Sequence, residues 1–248
     1  QLKKEIKTII IKDPFQQFKE AQRINEIRYC PLTGQSTRVL GLSLKEFAPT
    51  DRTAMIEESA KTCPFCPQLI DALTPKFVPP FKEQYIVGNA RCFPNAFPYD
   101  ENNAVITITS EHYVPINGFT HQMLHQAFEC ALLFLADIDS QKYPYQSINW
   151  NYMPIAGSSL IHPHLQIIAS STPSKYYVDI LSNLDKNPNL FTDYLNIEIN
   201  QNERLIAHLS DSTWLVAFAP MGQFDILGIF HQSVPLHTLS GKLDCLIT

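Results

Sequence analysis

One helical stretch in a chain otherwise cut into short β-type runs constrains the fold most. Between residues 121 and 138 apolar side chains recur at Met123, Leu124, Ala127, Phe128, Ala131, Leu132 and Leu135, the spacing of a helix with one buried face. Thr120 stands where a cap would start it. Elsewhere the apolar residues alternate or come in short blocks. Residues 104–109 (Ala-Val-Ile-Thr-Ile-Thr) alternate and are β-branched, which predicts a strand. Residues 84–87 and 90–93 read as a hairpin around Gly88-Asn89. Further strands are expected at 9–11, 37–42, 147–153, 164–170, 195–199, 203–209, 213–218 and 223–229, helices at 14–23 and 173–184, and a polar loop at 44–62. Strands that follow one another around one or two helices predict an α+β fold rather than a doubly wound one. The glycine fingerprints of dinucleotide and P-loop sites are absent from the sequence.

Composition narrows the function classes. A length of 248 residues suits one large domain or two small ones. A hydrophobic fraction of 45% with a net charge of -5 excludes a disordered chain. Lys+Arg 19 against Asp+Glu 24 leaves no basic excess for nucleic acid. The apolar runs fall short of the roughly 20 residues a membrane span requires. The start, Gln-Leu-Lys-Lys-Glu-Ile-Lys, lacks the apolar core of a secretion signal, so a cytoplasmic chain with reduced cysteines is expected.

Six cysteines are present, and Cys63-Pro64-Phe65-Cys66 is their one close pair, a metal or redox signature. Cys30, Cys92, Cys130 and Cys245 read as small buried apolar residues. A redox role lacks the βαβ context it needs, whereas two Cys with two His form the closed set that structural zinc prefers. His112, His121 and His125 are the candidates that the sequence itself offers for the histidines. The sharpest segment is His162-Pro163-His164-Leu165-Gln166. In an extended chain His162, His164 and Gln166 share one face, and Leu165 and Ile167 the other. Neutral imidazole binds metal, moves a proton or attacks phosphorus. Pro163 removes a backbone donor, which predicts a strand edge or end. The preceding Gly157-Ser158-Ser159 offers hydroxyls and close backbone N–H groups suited to phosphate oxygens.

Four segments, in order, resemble one family: Arg28-Tyr29-Cys30-Pro31-Leu32-Thr33-Gly34, Cys63-Pro64-Phe65-Cys66, Phe93-Pro94-Asn95-Ala96-Phe97-Pro98, and His162-Pro163-His164-Leu165-Gln166 preceded by Gly157 and Ser159. Together they resemble the galactose-1-phosphate uridylyltransferases, a branch of the histidine-triad superfamily. The resemblance implies an α+β, histidine-triad-like antiparallel sheet with flanking helices, the first repeat complete and the second partial. On that reading residues 1–24 are an extension, 25–172 the nucleotide-binding and catalytic repeat, and 173–248 part of the second repeat. The start at Gln1 and the end at Thr248 then read as incomplete coverage of the family.

Carried over residue by residue, the resemblance implies His164 as the nucleophile that forms a nucleotidyl-histidine and Gln166 as a donor to a phosphoryl oxygen. It implies Ser159 and Gly157 at the phosphates, Asn151 in the nucleotide-phosphate region and Asn95 at the nucleoside. Zn2+ would sit on Cys63, Cys66, His112 and His162. The implied reaction is exchange between UDP-glucose and galactose 1-phosphate, so the partners are a nucleotide sugar and a sugar phosphate. A homodimer fits the family, in which a partner subunit often supplies the sugar-contacting segment. Ala96 stands where uridylyl-specific members often carry an acid, and that sugar segment is missing here. These departures motivate two alternatives: phosphorolysis of ADP-glucose or a dinucleoside polyphosphate, and a zinc-stabilised module that holds nucleotides without turnover. His208, His231 and His237 show no spacing that pairs them as a second metal site.

Overall fold

The computed structural model describes residues 2–41 and 50–243. Leu42, residues 44–49, Cys245 and the side chain of His237 lie outside the described residues. The chain divides into two compact units, Gln1–Ala48 with Ser174–Ser233 and Pro49–Pro173 with Val234–Thr248. Residues 1–24 are therefore not set apart from 25–48, a difference from the expected boundaries.

In the first unit β1 (Lys4–Asp13) pairs antiparallel with β2 (Lys19–Tyr29), and β3 (Ser36–Leu40) joins the other edge of β2. The helix expected at 14–23 is not formed. Pro14–Gln16 makes a single 3-10 turn capped by the Asp13 carboxylate, and the chain then returns as β2. Ile9, Ile10 and Ile11 pair with Arg23, Gln22 and Ala21, so ladder bonds to a β-branched strand outweigh any helical preference of the return segment.

The second unit opens with α1 (Thr53–Ala60) and α2 (Ile70–Leu73). The described part of the segment expected as a polar loop thus contains a helix. None of the α1 residues is buried, so no apolar stripe announced it. Next come β4 (Tyr85–Val87), β5 (Ala90–Pro94), β6 (Asn102–Thr107), α3 (His121–Ala136), β7 (Tyr145–Asn149) and β8 (His164–Ser170). The strand expected at 147–153 ends at Asn149, where the chain enters the loop that leads to β8. The five strands form one antiparallel sheet in the order β4-β5-β6-β8-β7. Thr120 caps α3, its hydroxyl accepting from Met123 N–H at 3.2 Å.

The sheet register settles which side chains share a face. Directly opposite residues point the same way, so Cys92, Ala104, Ile106, Leu165 and Ile167 lie on one face, all essentially buried. α3 packs against β4, β5, β6 and β8, with Cys130 donating to the Tyr85 carbonyl. Phe93, Val105, Thr107, His164 and Gln166 lie on the opposite face. Val105, Phe93 and Ile70 cluster there, with Phe65 packed against them. Truncating Leu165 to Ala leaves a cavity in a layer with no room to collapse. Urea unfolding is expected to show a loss of about 2–5 kcal/mol, whereas an unchanged midpoint would place Leu165 outside the core.

The first unit resumes with α4 (Lys175–Lys186), α5 (Leu190–Gln201), β9 (Leu205–His208), β10 (Ser212–Val216) and β11 (Ile226–Phe230), the strands in the order β11-β10-β9. α5 replaces the strand expected at 195–199. Asn-Ile-Glu-Ile-Asn alternates over five residues, but Tyr194, Leu195 and Glu198 are buried together, the spacing of one helical face. Leu32, Tyr194, Leu195, Leu215, Phe218 and Ile229 belong to this unit's core. Glu198 is fully buried and is neutralised by Arg204, whose Nε lies 2.9 Å and 3.1 Å from its two oxygens.

Candidate active site and metal centre

The Cys63-Pro64-Phe65-Cys66 turn, the residues after β6 and the residues before β8 converge on four ligand groups. One ligand atom from each of Cys63, Cys66, His112 and His162 lies within 4.8 Å of the others. Cys66 Sγ is 3.4 Å from His112 Nδ1 and 3.8 Å from His162 Nδ1. Zinc–sulfur and zinc–nitrogen bonds of about 2.3 and 2.0 Å imply tetrahedral edges of roughly 3.3–3.8 Å. These two separations already match.

Hydrogen bonding at the far side of each ring identifies the nitrogen that carries a lone pair. His162 Nε2 is 2.9 Å from the Thr109 carbonyl, which can only accept, so Nε2 is protonated and Nδ1 faces Cys66 unprotonated. His112 Nε2 is 2.8 Å from the Ser59 hydroxyl. That hydroxyl donates its proton to the Ile56 carbonyl at 2.9 Å, so here too Nε2 is the donor. Both Nδ1 lone pairs point at Cys66, each ring oriented by a partner behind it. Burial lowers His162 to about 4, which keeps it neutral. Burial, with Cys63 alongside, pushes the Cys66 thiol up to about 11, and a divalent cation would supply the countercharge that lets it ionise. The donor set therefore fits a metal ion. His121 and His125 lie on α3 with ring centroids 6.0 Å apart, and neither belongs to this group.

His164 opens β8. Its Nδ1 lies 2.8 Å from the His162 carbonyl, so Nδ1 donates and Nε2 keeps its lone pair. Burial holds its pKa below the ordinary histidine value, so the ring is neutral near pH 7. The Phe65 ring meets His164 edge-on at 5.3 Å and His162 at 6.1 Å, which ties the cysteine turn to both rings. Pro163 falls just before β8, at a strand end as expected. It is not at an edge, since β8 lies between β6 and β7. Gln166 sits opposite Val105 and Asn149, two residues beyond His164 on the same face, and its Oε1 accepts from the Tyr99 hydroxyl.

The loop between β7 and β8 carries Asn151, Gly157 and Ser159, all exposed. Gly157 has φ +90, a left-handed conformation, and an added Cβ would meet Asn151 Nδ2 at 3.8 Å, ordinary contact. Gly157→Ala is therefore opposed by backbone strain rather than by crowding. Thermal unfolding is expected to show a loss of about 1–2 kcal/mol, and a variant as stable as the parent would show that the loop relaxes. Ser158 is buried and donates to the Leu160 carbonyl at 2.6 Å, so Ser159 is the serine that faces solvent. Asn95 is wired into the sheet: Nδ2 donates to Asn103 Oδ1 at 2.8 Å and Oδ1 accepts from Phe97 N–H at 3.0 Å. This holds Phe97, 87% exposed, at the tip of its loop. Ser59, the Thr109 carbonyl, Phe65 and Tyr99 escaped the sequence reading, because only the fold brings them to the rings and amide they touch. His208 and His231 meet in the other unit. The Thr213 hydroxyl lies 2.8 Å from each, in a hydrogen-bonded arrangement that holds no third ligand among the described residues.

No family model matches the chain. An uncharacterized protein of Archaeoglobus fulgidus is 32% identical over 216 residues, 85% of this chain. The chain spans 65% of that relative's length. An ADP-glucose phosphorylase from Arabidopsis thaliana with bound ADP-glucose superposes with a TM-score of 0.63 at 16% identity, covering 90% of this chain and 74% of that one. A GalT-like protein from Arabidopsis thaliana gives 0.61 at 19% identity, covering 90% and 73%. A uridylyltransferase gives 0.51 at 16% identity, covering 89% and 72%. The chain shares with these solved structures a mixed fold of helices and antiparallel sheet. No described helix is long and apolar enough to cross a membrane.

Proposed function

We propose that this chain is a nucleotidyltransferase that works through a covalent nucleotidyl-histidine on His164. The observation that carries the reading is the His164 ring itself. It is neutral and buried, its Nδ1–H is held by the His162 carbonyl, and its Nε2 lone pair is left to react. Nε2 attacks the α-phosphorus of a nucleoside-diphosphate sugar. The P–N bond forms as the bridging P–O bond breaks, and sugar 1-phosphate leaves with the bridging oxygen. A phosphate oxygen of the acceptor then attacks the same phosphorus, and the P–N bond returns its electron pair to the imidazole. Two displacements give ping-pong kinetics.

The surrounding residues take roles in binding and orientation. Gln166 donates from Nε2 to a phosphoryl oxygen. Ser159 meets the phosphates, the Gly157 turn, whose own N–H donates to the Pro154 carbonyl at 3.0 Å, brings the loop alongside them, Asn151 borders them, and Asn95 shapes the nucleoside side through the loop that carries Phe97. Cys63, Cys66, His112 and His162 would hold Zn2+, which supplies cross-linking of the cysteine turn to the histidine strand. We read the leading donor and acceptor as UDP-glucose and galactose 1-phosphate, in the cytoplasm. Ala96, and the ADP-glucose bound by the phosphorylase that shares this fold, favour a second reading in which inorganic phosphate is the acceptor.

The test uses UDP-glucose and ADP-glucose labelled at the α-phosphate. Acid-labile, base-stable label on the protein is expected from one of them. Release by galactose 1-phosphate identifies the uridylyltransferase and release by inorganic phosphate the phosphorylase. A protein that takes label from neither is a nucleotide-holding module, and the proposal fails.

A further inference from the structure

A side-chain amide has two chemically opposite ends: its oxygen only accepts hydrogen bonds and its nitrogen only donates. The terminal torsion that exchanges them is broad and roughly two-fold. Phosphoryl oxygens only accept, so Gln166 helps a phosphoryl group only with Nε2 turned toward it. β8 fixes where Gln166 leaves the sheet but not which end leads.

The Tyr99 hydroxyl donates to Gln166 Oε1. This engages the unproductive end and turns Nε2 away from Tyr99. The loop that carries Tyr99 is tied at its base, between Asn95 and Asn103. Asn95 N–H donates to the Asn103 carbonyl at 2.9 Å, and the Asn103 amide donates to the Ile167 carbonyl of β8 at 2.8 Å. The support for Tyr99 thus runs through β6 and β8, the strands that also carry Gln166 and its neighbour Val105. Tyr99 is 61% exposed, so loss of its hydroxyl opens no cavity.

We infer that Tyr99 is a positioning residue for phosphoryl transfer, holding the Gln166 amide with Nε2 toward the phosphate and Oε1 away from it. The inference rests on the nucleotidyl-His164 reading. It adds a residue outside the motif segments, on the nucleoside-side loop, whose action reaches the phosphorus only through Gln166.

The test is a double-mutant cycle on formation of the labelled His164 adduct, together with NMR of the nucleotide-free protein. Tyr99→Phe is expected to slow labelling about ten-fold with little change in donor KM, the scale of one hydrogen bond to a charged group. In a Gln166→Ala background Tyr99→Phe is expected to change nothing further. The Gln166 side-chain amide resonances, assigned by their loss in Gln166→Ala, are expected to shift in Tyr99→Phe. Labelling at the parent rate in Tyr99→Phe, an equal slowing in both backgrounds, or unshifted amide resonances would each overturn the role of Tyr99. A parent protein that takes no label would instead overturn the His164 reading on which it rests.

Discussion

His164→Ala abolishes the acid-labile label and slows transfer by at least about 10⁴-fold, the scale seen when a nucleophile is removed from an enzyme that works through a covalent intermediate. Nothing else described on that face of the sheet can replace it. Thr107 is directly opposite, but a hydroxyl with no base beside it is a poor nucleophile near neutral pH. The substitution should leave the metal in place, because His164 Nδ1 is committed to the His162 carbonyl and not to the cysteines. His162→Ala should do the reverse and lose metal, since its Nδ1 faces Cys66. Two histidines two residues apart are thus assigned opposite chemistry. Metal content and label measured on both variants check the division. Label persisting in His164→Ala, or zinc lost from it, would refute the assignment.

Cys66→Ala produces the largest loss of stability. Zinc ligation in small domains contributes about 10–16 kcal/mol of apparent binding energy, which is coupled to folding. Here such a cross-link would join α1 through Ser59, the cysteine turn, the residues after β6 and the residues before β8. The parent should carry about one zinc per chain. The variant should carry none and unfold several kcal/mol sooner in urea. Its labelling rate should fall too, because Phe65, inside the cysteine turn, packs edge-on against the His164 ring. Elemental analysis and urea unfolding read the two effects separately. A Cys66→Ala protein that retains zinc would sink the ligand set, and one that loses zinc without losing stability would reduce the metal to a surface ion.

Much of the fold was legible where local preference and tertiary demand agree. α3 combined a cap, a helical period and a buried face. The β4–β5 hairpin had Gly88-Asn89 at its turn, with Gly88 at φ +56. β8 runs from His164 to Ser170, as its alternation predicts. Three segments misled for identifiable reasons. In α5 the Asn-Ile-Glu-Ile-Asn alternation is shorter than the helical pattern around it. α1 has no buried residue to mark its period. β2 begins with Lys-Glu-Ala-Gln-Arg, good helix formers, and is drawn into a strand by a partner ten residues long.

By itself the sequence determined the chemical inventory: a C-x₂-C pair, a His-x-His-x-Gln strand and a loop of small hydroxyl residues, in an order that resembles one family. These are local properties, because spacing along a few residues decides which side chains can act together. The resemblance implied His112 and His162 beside the cysteines, and the tertiary structure brings these four together; it alone decided which nitrogen of each ring carries the lone pair and that Tyr99 meets Gln166. Those outcomes depend on groups far apart in the chain, such as Ser59 with His112 and Thr109 with His162, whose approach is dictated by sheet register and by the need of every buried donor for an acceptor.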